Sequence, residues 1–460
     1  VPSPVTGGDW RQFGYDAQRS GAGPADTGIT AANLGRLRRR TVALPGTVDS
    51  AAVELHAVRV GARVRDVAML TTTYGLTVAV DPGTGRRLWT YTPGGVRAVA
   101  GTYQVTNTTP IVDPDRRYVY TASPNGFIHK LRVSDGRAVW SRAVTLLPSR
   151  EKLAGALNIT GGSVIAVTDG YIGDAPPYQG HVVLLNRSNG RITRVFNTLC
   201  SNRRHLQVPS TCPASDSAVW GRAGSVVEPG TGRILVATGN GPFNGSTDWG
   251  DSVLELSPAL ALLHNWTPRD QAALNAGDTD LGSTEPALLG RVGGRRLAVQ
   301  GGKDGILRLL DLDRLNGTRG GAGPRTGGEL QDIGDPGHAQ LFSAPAVWRE
   351  HGRLHVFVAD GAGTAGYLLG RGGRLDLAWS RGTPGTSPVV AGGLLYVYDE
   401  LGGSLVIRDP ISGRALRTLP AASGHWNSPI VIGGRIILPE GTYMSHSTSG
   451  TLDIYHLPGR

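Results

Sequence analysis

Short apolar runs recur along the whole chain, each cut off by glycine, proline, asparagine or aspartate. One unit can be followed through them. It opens with a small-residue step into an apolar strand: NTTPIV (107–112), STEPALL (283–289), SAPAV (343–347), TSPVV (386–390) and NSPIV (427–431). A turn, a second apolar strand and a Gly-rich turn follow. A third strand then leaves through an Asp/Asn turn with Gly, as in LTVAVDPGTGRRLW (76–89), HKLRVSDGRAVW (129–140), HVVLLNRSNGRI (181–192) and LVIRDPISGRAL (405–416). Looser copies of this exit lie at SVLELSPAL (252–260), LRLLDLDRL (307–315) and GYLLGRGGRLDLAW (366–379). Runs this short, bounded by turn residues, read as strands.

The last unit spans HWNSPIV to DIYHL (425–457), which brings the count to eight. Their spacing of roughly 40–60 residues fits four-stranded blades. A single four-stranded sheet cannot bury both faces, but radial stacking packs it on two neighbours. The pattern therefore predicts one all-β, eight-bladed β-propeller over residues 1–460, with antiparallel blades. Ring closure needs both chain ends in one blade, and LRRRTVAL (37–44) is the natural fourth strand for the C-terminal unit.

Composition adds to this picture. A chain of 460 residues suggests two or three domains by length, but Gly 68 and Pro 29 supply turns at the density of a repeat fold. No run of about 18 apolar residues occurs, so no transmembrane segment is expected. The chain begins VPSPVTGGDW, without a charged or apolar leader, so either it never had a signal peptide or the peptide has been removed. The expectation is the second, a secreted, periplasmic or extracellular protein. Cys200 and Cys212 flank a polar loop segment. They form either a disulfide, which implies an oxidising compartment, or two buried free thiols. Net charge is +10, yet lysine occurs only at 130, 152 and 303, so the positive charge is almost all arginine. No basic stripe interleaved with aromatics accompanies it, so nucleic acid is not an expected partner. An anionic surface or polymer stays open. Walker loop, nucleophile elbow, HExxH and CxxCH motifs do not occur.

The exit AVDPGTGRRLW (79–89) resembles the tryptophan-docking motif of pyrroloquinoline quinone (PQQ) dehydrogenases, and DWRQFGYDAQRSG (9–21) resembles the entry segment of soluble quinoproteins. The similarity extends over nearly the whole chain. The same repeat also builds non-catalytic outer-membrane assembly lipoproteins, so it implies the fold more strongly than an activity. Carried over motif by motif, SAVWGRAG (217–224) nominates Trp220 as the floor under the quinone, and ILVATGNGPF (234–243) nominates Asn240 as a Ca²⁺ ligand. GDTDLGSTEP (277–286) nominates Asp280 as general base, with Asp278 in reserve, and as a further metal ligand. QGGKDGILRLL (300–310) nominates Lys303 to reach the quinone oxygens.

The resemblance also departs from its pattern. The family's calcium-binding Glu is missing from YIGDAPPYQGHVVLL (171–185), where Asp174 is the nearest substitute. The family's adjacent-cysteine ring is missing as well. Without CxxCH there is no covalent haem, and an oxidation needs an external electron acceptor. Further polar groups gather at blade openings: Tyr103, Gln104, Asn107, Asn158, His338, His425 and Trp426, with Glu440, Tyr443 and His446 near the last blade's turn. Of these, Asn107, Asn158, His425 and Trp426 are the expected additional cofactor contacts. His338 and His425, with His205 or His446, offer imidazoles for a transition metal, although no HxH or HxxxH spacing supports them.

Three readings follow. The first is a PQQ-dependent-like dehydrogenase oxidising an alcohol or sugar hydroxyl in an axial funnel, with small-molecule or carbohydrate substrate. The second is a non-catalytic propeller that binds peptide or polysaccharide in the cell envelope. The third is a metal-dependent lyase or hydrolase.

Overall fold

The computed structural model describes residues 8–315, 326–442 and 444–459. Eight four-stranded antiparallel sheets stand around one axis. They are blades I (53–91), II (111–143), III (158–197), IV (226–266), V (287–334), VI (346–381) and VII (389–420), and blade VIII, which joins 430–456 to 38–44. The closure expected for residues 37–44 is present. Strand Arg38–Leu44 pairs antiparallel with Gly450–His456 along its full length. Inside that blade Asp453 receives an Arg39 ion pair at 2.5 Å and a hydrogen bond from Thr41 Oγ1 at 2.7 Å.

The core lies between blades. One apolar cluster joins Leu297, Leu307 and Leu309 of blade V to Val356, Val358 and Tyr367 of blade VI, and its counterparts repeat around the ring. The exit turns explain the repeated Gly–Trp spacing. Trp89 of blade I donates from Nε1 to the Val133 carbonyl of blade II at 2.9 Å, and its ring lies on Gly136. A Cβ at Gly136 would stand 2.5 Å from that ring, and the residue has φ 72°. Trp140 on Gly190 repeats the arrangement from blade II to blade III. Glycine is thus needed there twice over, for the left-handed turn and for the space.

The sequence motifs do not reveal what the entry segment does. Residues 10–27 cross the inner end of the ring, where the first strand of each blade has a free edge. Carbonyls of Arg11, Ala17, Ser20 and Gly21 accept from the amides of Val112, Val227, Val347 and Val390, which belong to four different blades. Phe13 fills the axis against Ala51, Ala156, Ala223 and Ala344. The small residues at those blade openings leave room for one aromatic ring. Arg19, buried beside it, donates to the carbonyls of Phe13 at 2.9 Å and Leu157 at 2.7 Å. The segment closes one end of the channel and meets backbone groups that would otherwise be buried without partners.

Phe13 is 4% exposed. Phe13→Ala is expected to cost about 3–5 kcal/mol by opening a cavity on the axis. Denaturant unfolding of the variant against the parent protein measures this.

Candidate functional site

Antiparallel alternation decides which loops share a face. The approach to each first strand and the turn between second and third strands lie at the same end of a blade. Trp220 and Asp280 precede the first strands of blades IV and V. Asn240 and Lys303 sit in the second-to-third turns of the same two blades. The four therefore share one end of the axis, where the side chains of Trp220, Asp280 and Lys303 meet and Asn240 joins them through its backbone N–H. Lys303 Nζ contacts Asp280 Oδ2 and lies 3.0 Å from Asp278 Oδ1. It stands 5.4 Å from the Trp220 ring centre. The Asn240 amide donates to Asp280 Oδ1 at 2.5 Å. Gly239 makes this approach possible, since a Cβ there would lie 2.9 Å from Trp220 Nε1 and would collide with Asp280. Trp220 keeps a half-buried ring, 5.9 Å from Phe342 and 6.2 Å from Trp426.

Burial pushes the Asp280 carboxyl above its ordinary range, against the pull of Lys303 and the Asn240 amide. Burial lowers Lys303, but Asp280 and Asp278 outweigh it and the ammonium ends above its usual value. Nearby, burial raises Asp251 to about 8, while the Leu281 amide and Lys303 work in the other direction.

The remaining nominees divide. Trp426 and His425 reach the axis from the approach to blade VIII, with rings stacked at 3.6 Å. His425 Nδ1 lies 2.9 Å from Asp49 Oδ2, and the Trp426 amide donates to Asp49 Oδ1 at 2.8 Å. Asn107 Nδ2 donates to the same carboxylate. Asn158 stands apart. It is fully buried, with Nδ2 donating to the carbonyls of Ala17 and Ser225, so its amide ties the entry segment to blades III and IV.

Asp174 lies between the second and third strands of blade III, at the same end as Asp280, and its Oδ1 accepts from the Tyr178 hydroxyl at 2.9 Å. Among the described residues, no three of Asp174, Asp216, Asp251, Asp278 and Asp280 come close enough to share one ion. Of the expected Ca²⁺ set of Asn240, Asp174 and Asp280, Asp280 spends its two oxygens on Lys303 and on the backbone N–H of Asn240. The histidines form no ligand group among the described residues either. The one trio with suitable spacing is Cys200, Cys212 and Asp248, and there the cysteines are joined in a disulfide. His338 is exposed on a turn and His205 is exposed in a loop. Gln104 donates to Pro124, Tyr103 is exposed, and Glu440 is buried in the closing blade. Tyr443 lies outside the described residues.

Three axial groups were missed in the sequence reading: Asp49, Lys152 and Arg222. Asp49 sits in a TVDSAAV opening like the others, which was a usable signal. Lys152 lies in an added two-stranded ribbon, Glu151–Lys152 with Asp169–Gly170, that no repeat position announces. Arg222 follows Trp220 by two residues and carries no motif of its own.

Against known families, residues 40–204 and 75–419 match the PQQ_2 family, described as outer membrane protein assembly factor BamB. The chain belongs to this family of PQQ-like β-propellers. Among solved structures, the quinohemoprotein alcohol dehydrogenase of Comamonas testosteroni is similar at 16% identity and a TM-score of 0.70, covering 100% of this chain and 81% of its own. A europium-containing methanol dehydrogenase is similar at 14% identity and a TM-score of 0.70, covering 98% of each chain. BamB from Moraxella catarrhalis is similar at 14% identity and a TM-score of 0.51, covering 86% of this chain and 92% of its own. At these identities the likeness is one of fold. No curated protein matches the sequence.

Burial works to raise Asp49, but His425 and then Arg222 outweigh it, and its pKa falls to about 2. A carboxylate lowered in this way stabilises the fold above its unfolded pKa of about 4, by about 2 kcal/mol, and loses that contribution as pH falls toward 2. Asp49→Asn should therefore cost stability at pH 7 and about half as much at pH 3. Denaturant midpoints at the two pH values check this.

Proposed function

We propose that the chain is a quinoprotein-like oxidoreductase that oxidises the hydroxyl of a small molecule or carbohydrate at the funnel end of the axis. What carries this reading is the meeting of Trp220, Asn240, Asp280 and Lys303, brought from two blades to one place. The donor set suits a flat anionic quinone: Trp220 offers a half-buried aromatic face, and the Lys303 ammonium stands beside it. Trp220 and Lys303 would hold PQQ. Bound there, it would supply a two-electron acceptor for hydride from a CH–OH carbon.

The chain's own residues do the rest. Asp280 accepts the hydroxyl proton as general base. Lys303 orients that carboxylate and keeps positive charge where negative charge grows on oxygen. The aromatic walls of Trp220, Phe342 and Trp426 exclude water from one side of the site. Electrons leave to an external acceptor. No step is assigned to Ca²⁺, because Asp280 is engaged by Lys303 and the backbone N–H of Asn240. The Cys200–Cys212 bridge favours an oxidising, extracytoplasmic location. No helix among the described residues is long and apolar enough to cross a membrane.

One observation favours a second reading, a binding propeller without chemistry. Asp280 already has both oxygens satisfied, by Lys303 and by the Asn240 amide.

Titration of the purified protein with PQQ, with and without Ca²⁺, followed by absorbance and by dye reduction over an alcohol panel, separates the two. The oxidoreductase takes up PQQ at micromolar concentration, and Asp280→Asn lowers turnover about 10²–10⁴-fold while leaving PQQ uptake in place. Its acid limb should lie above the ordinary carboxylate range, since activity needs Asp280 ionised and burial raises its pKa. No uptake at micromolar PQQ ends the oxidation reading and leaves the binding one.

A further inference from the structure

Arg222 is the least explained charge in the molecule. It is 4% exposed, and Nε, Nη1 and Nη2 all lack a hydrogen-bond partner. Its guanidinium carbon lies over Trp426, 3.2 Å from the ring centre. Lys152, 9% exposed, brings a second cation to within 5.8 Å of the same ring. A buried guanidinium without partners is costly to a fold, and a protein keeps one where a ligand supplies the missing acceptors.

The nearby carboxylates do not supply them. Asp49 is spent on His425, Asn107 and the Trp426 amide. Glu285 accepts from the amides of Ala223 and Gly224, and burial raises it to about 8. Burial likewise raises Asp169 to about 7, with Lys152 and Arg222 opposing.

Arg222 faces an axial cavity of about 50 Å³ lined also by Phe342, Asp360, Thr386, Glu400 and Trp426. At roughly 10–15 Å³ for each water, this holds a few waters or a molecule of acetate size, not a tricyclic ring. The two acids on the far wall do not bar an anion. Asp360 is satisfied by the amides of Gly337, Ala362 and Gly363. Burial raises Glu400 to about 7, and its Oε2 has no partner, so in its protonated form it offers a donor to a ligand oxygen.

We propose that this cavity binds a small organic carboxylate, held by the planar guanidinium of Arg222 on the face of Trp426. Carboxylate matches the two-pronged fork of arginine in shape and charge. The carboxylate belongs either to a free small acid or to a carboxyl arm of a larger ligand that ends in the cavity. The assignment shares the Phe342 and Trp426 rings with the oxidation reading but none of Trp220, Asn240, Asp280 and Lys303, and acetate binding tests it without reference to turnover.

The test is titration of the full chain with sodium acetate and sodium glycolate, read by tryptophan fluorescence and calorimetry, with sodium chloride at equal ionic strength as control. Saturable binding is expected for the acids and not for chloride, and Arg222→Gln should weaken it at least tenfold. Arg222→Met should abolish binding while far-UV circular dichroism stays that of the folded parent protein. Should Arg222→Gln fail to fold, Arg222→Lys keeps the charge and loses the fork, and binding should again weaken. No saturable acetate or glycolate signal in the parent protein, or unchanged affinity in the folded variants, overturns the proposal. PQQ that displaces acetate assigns the carboxylate to a larger ligand, and acetate bound without PQQ uptake assigns it to a free acid. Both outcomes uphold the site.

Discussion

Ring closure is the constraint on which the rest depends. The axial groups meet only because eight sheets face one axis, and that arrangement holds only if the last blade is completed by the first strand. Pairing of Arg38–Leu44 with Gly450–His456 ties the two ends of the chain through a backbone ladder. Arg39 and Thr41 add their bonds to the buried Asp453. An open ring would leave a sheet edge and an inter-blade face exposed, and both are costly.

Closure then creates a second problem, the empty centre. First strands around an axis present free edges to it, and no blade can fill the middle alone. The entry segment answers this at one end with Phe13, Arg19 and a series of backbone bonds. At the other end the centre is filled by charge and aromatic rings. Asp49, His425, Asn107, Arg222 and Trp426 form one connected group, and Asp280, Lys303, Asn240 and Trp220 form another. The rings of Trp220, Phe342 and Trp426 join the two. One end of the axis is therefore structural, and the other is polar enough to bind ligands.

The blade repeat was readable because its causes are local. Turn residues end each apolar run, and a Gly–Trp spacing records how one blade docks on the next, as Trp89 on Gly136 shows. The closing strand was readable for the same reason, since residues 37–44 had no other unit to complete. Of the nominated site, Trp220, Asn240, Asp280 and Lys303 do come together, because they occupy equivalent loop positions in adjacent blades. Asn158 occupies a comparable opening yet turns to the scaffold. A single side-chain direction separates the two cases, and strand position does not specify it. Arg222 had no signal at all, because its meaning is the lack of a partner, and partners come from blades far apart in the chain.

By itself the sequence determined the number of blades, the order of their strands, the strand that closes them and the face to which each loop belongs. These follow from hydrophobic period and turn chemistry, which act between neighbours along the chain. Tertiary structure alone decided that the entry segment closes the axis, that Asp280 is held by Lys303 and the backbone N–H of Asn240, and that Arg222 lies buried without a hydrogen-bond partner. Each of these depends on distances between residues from different blades, and such distances exist only once the ring has closed.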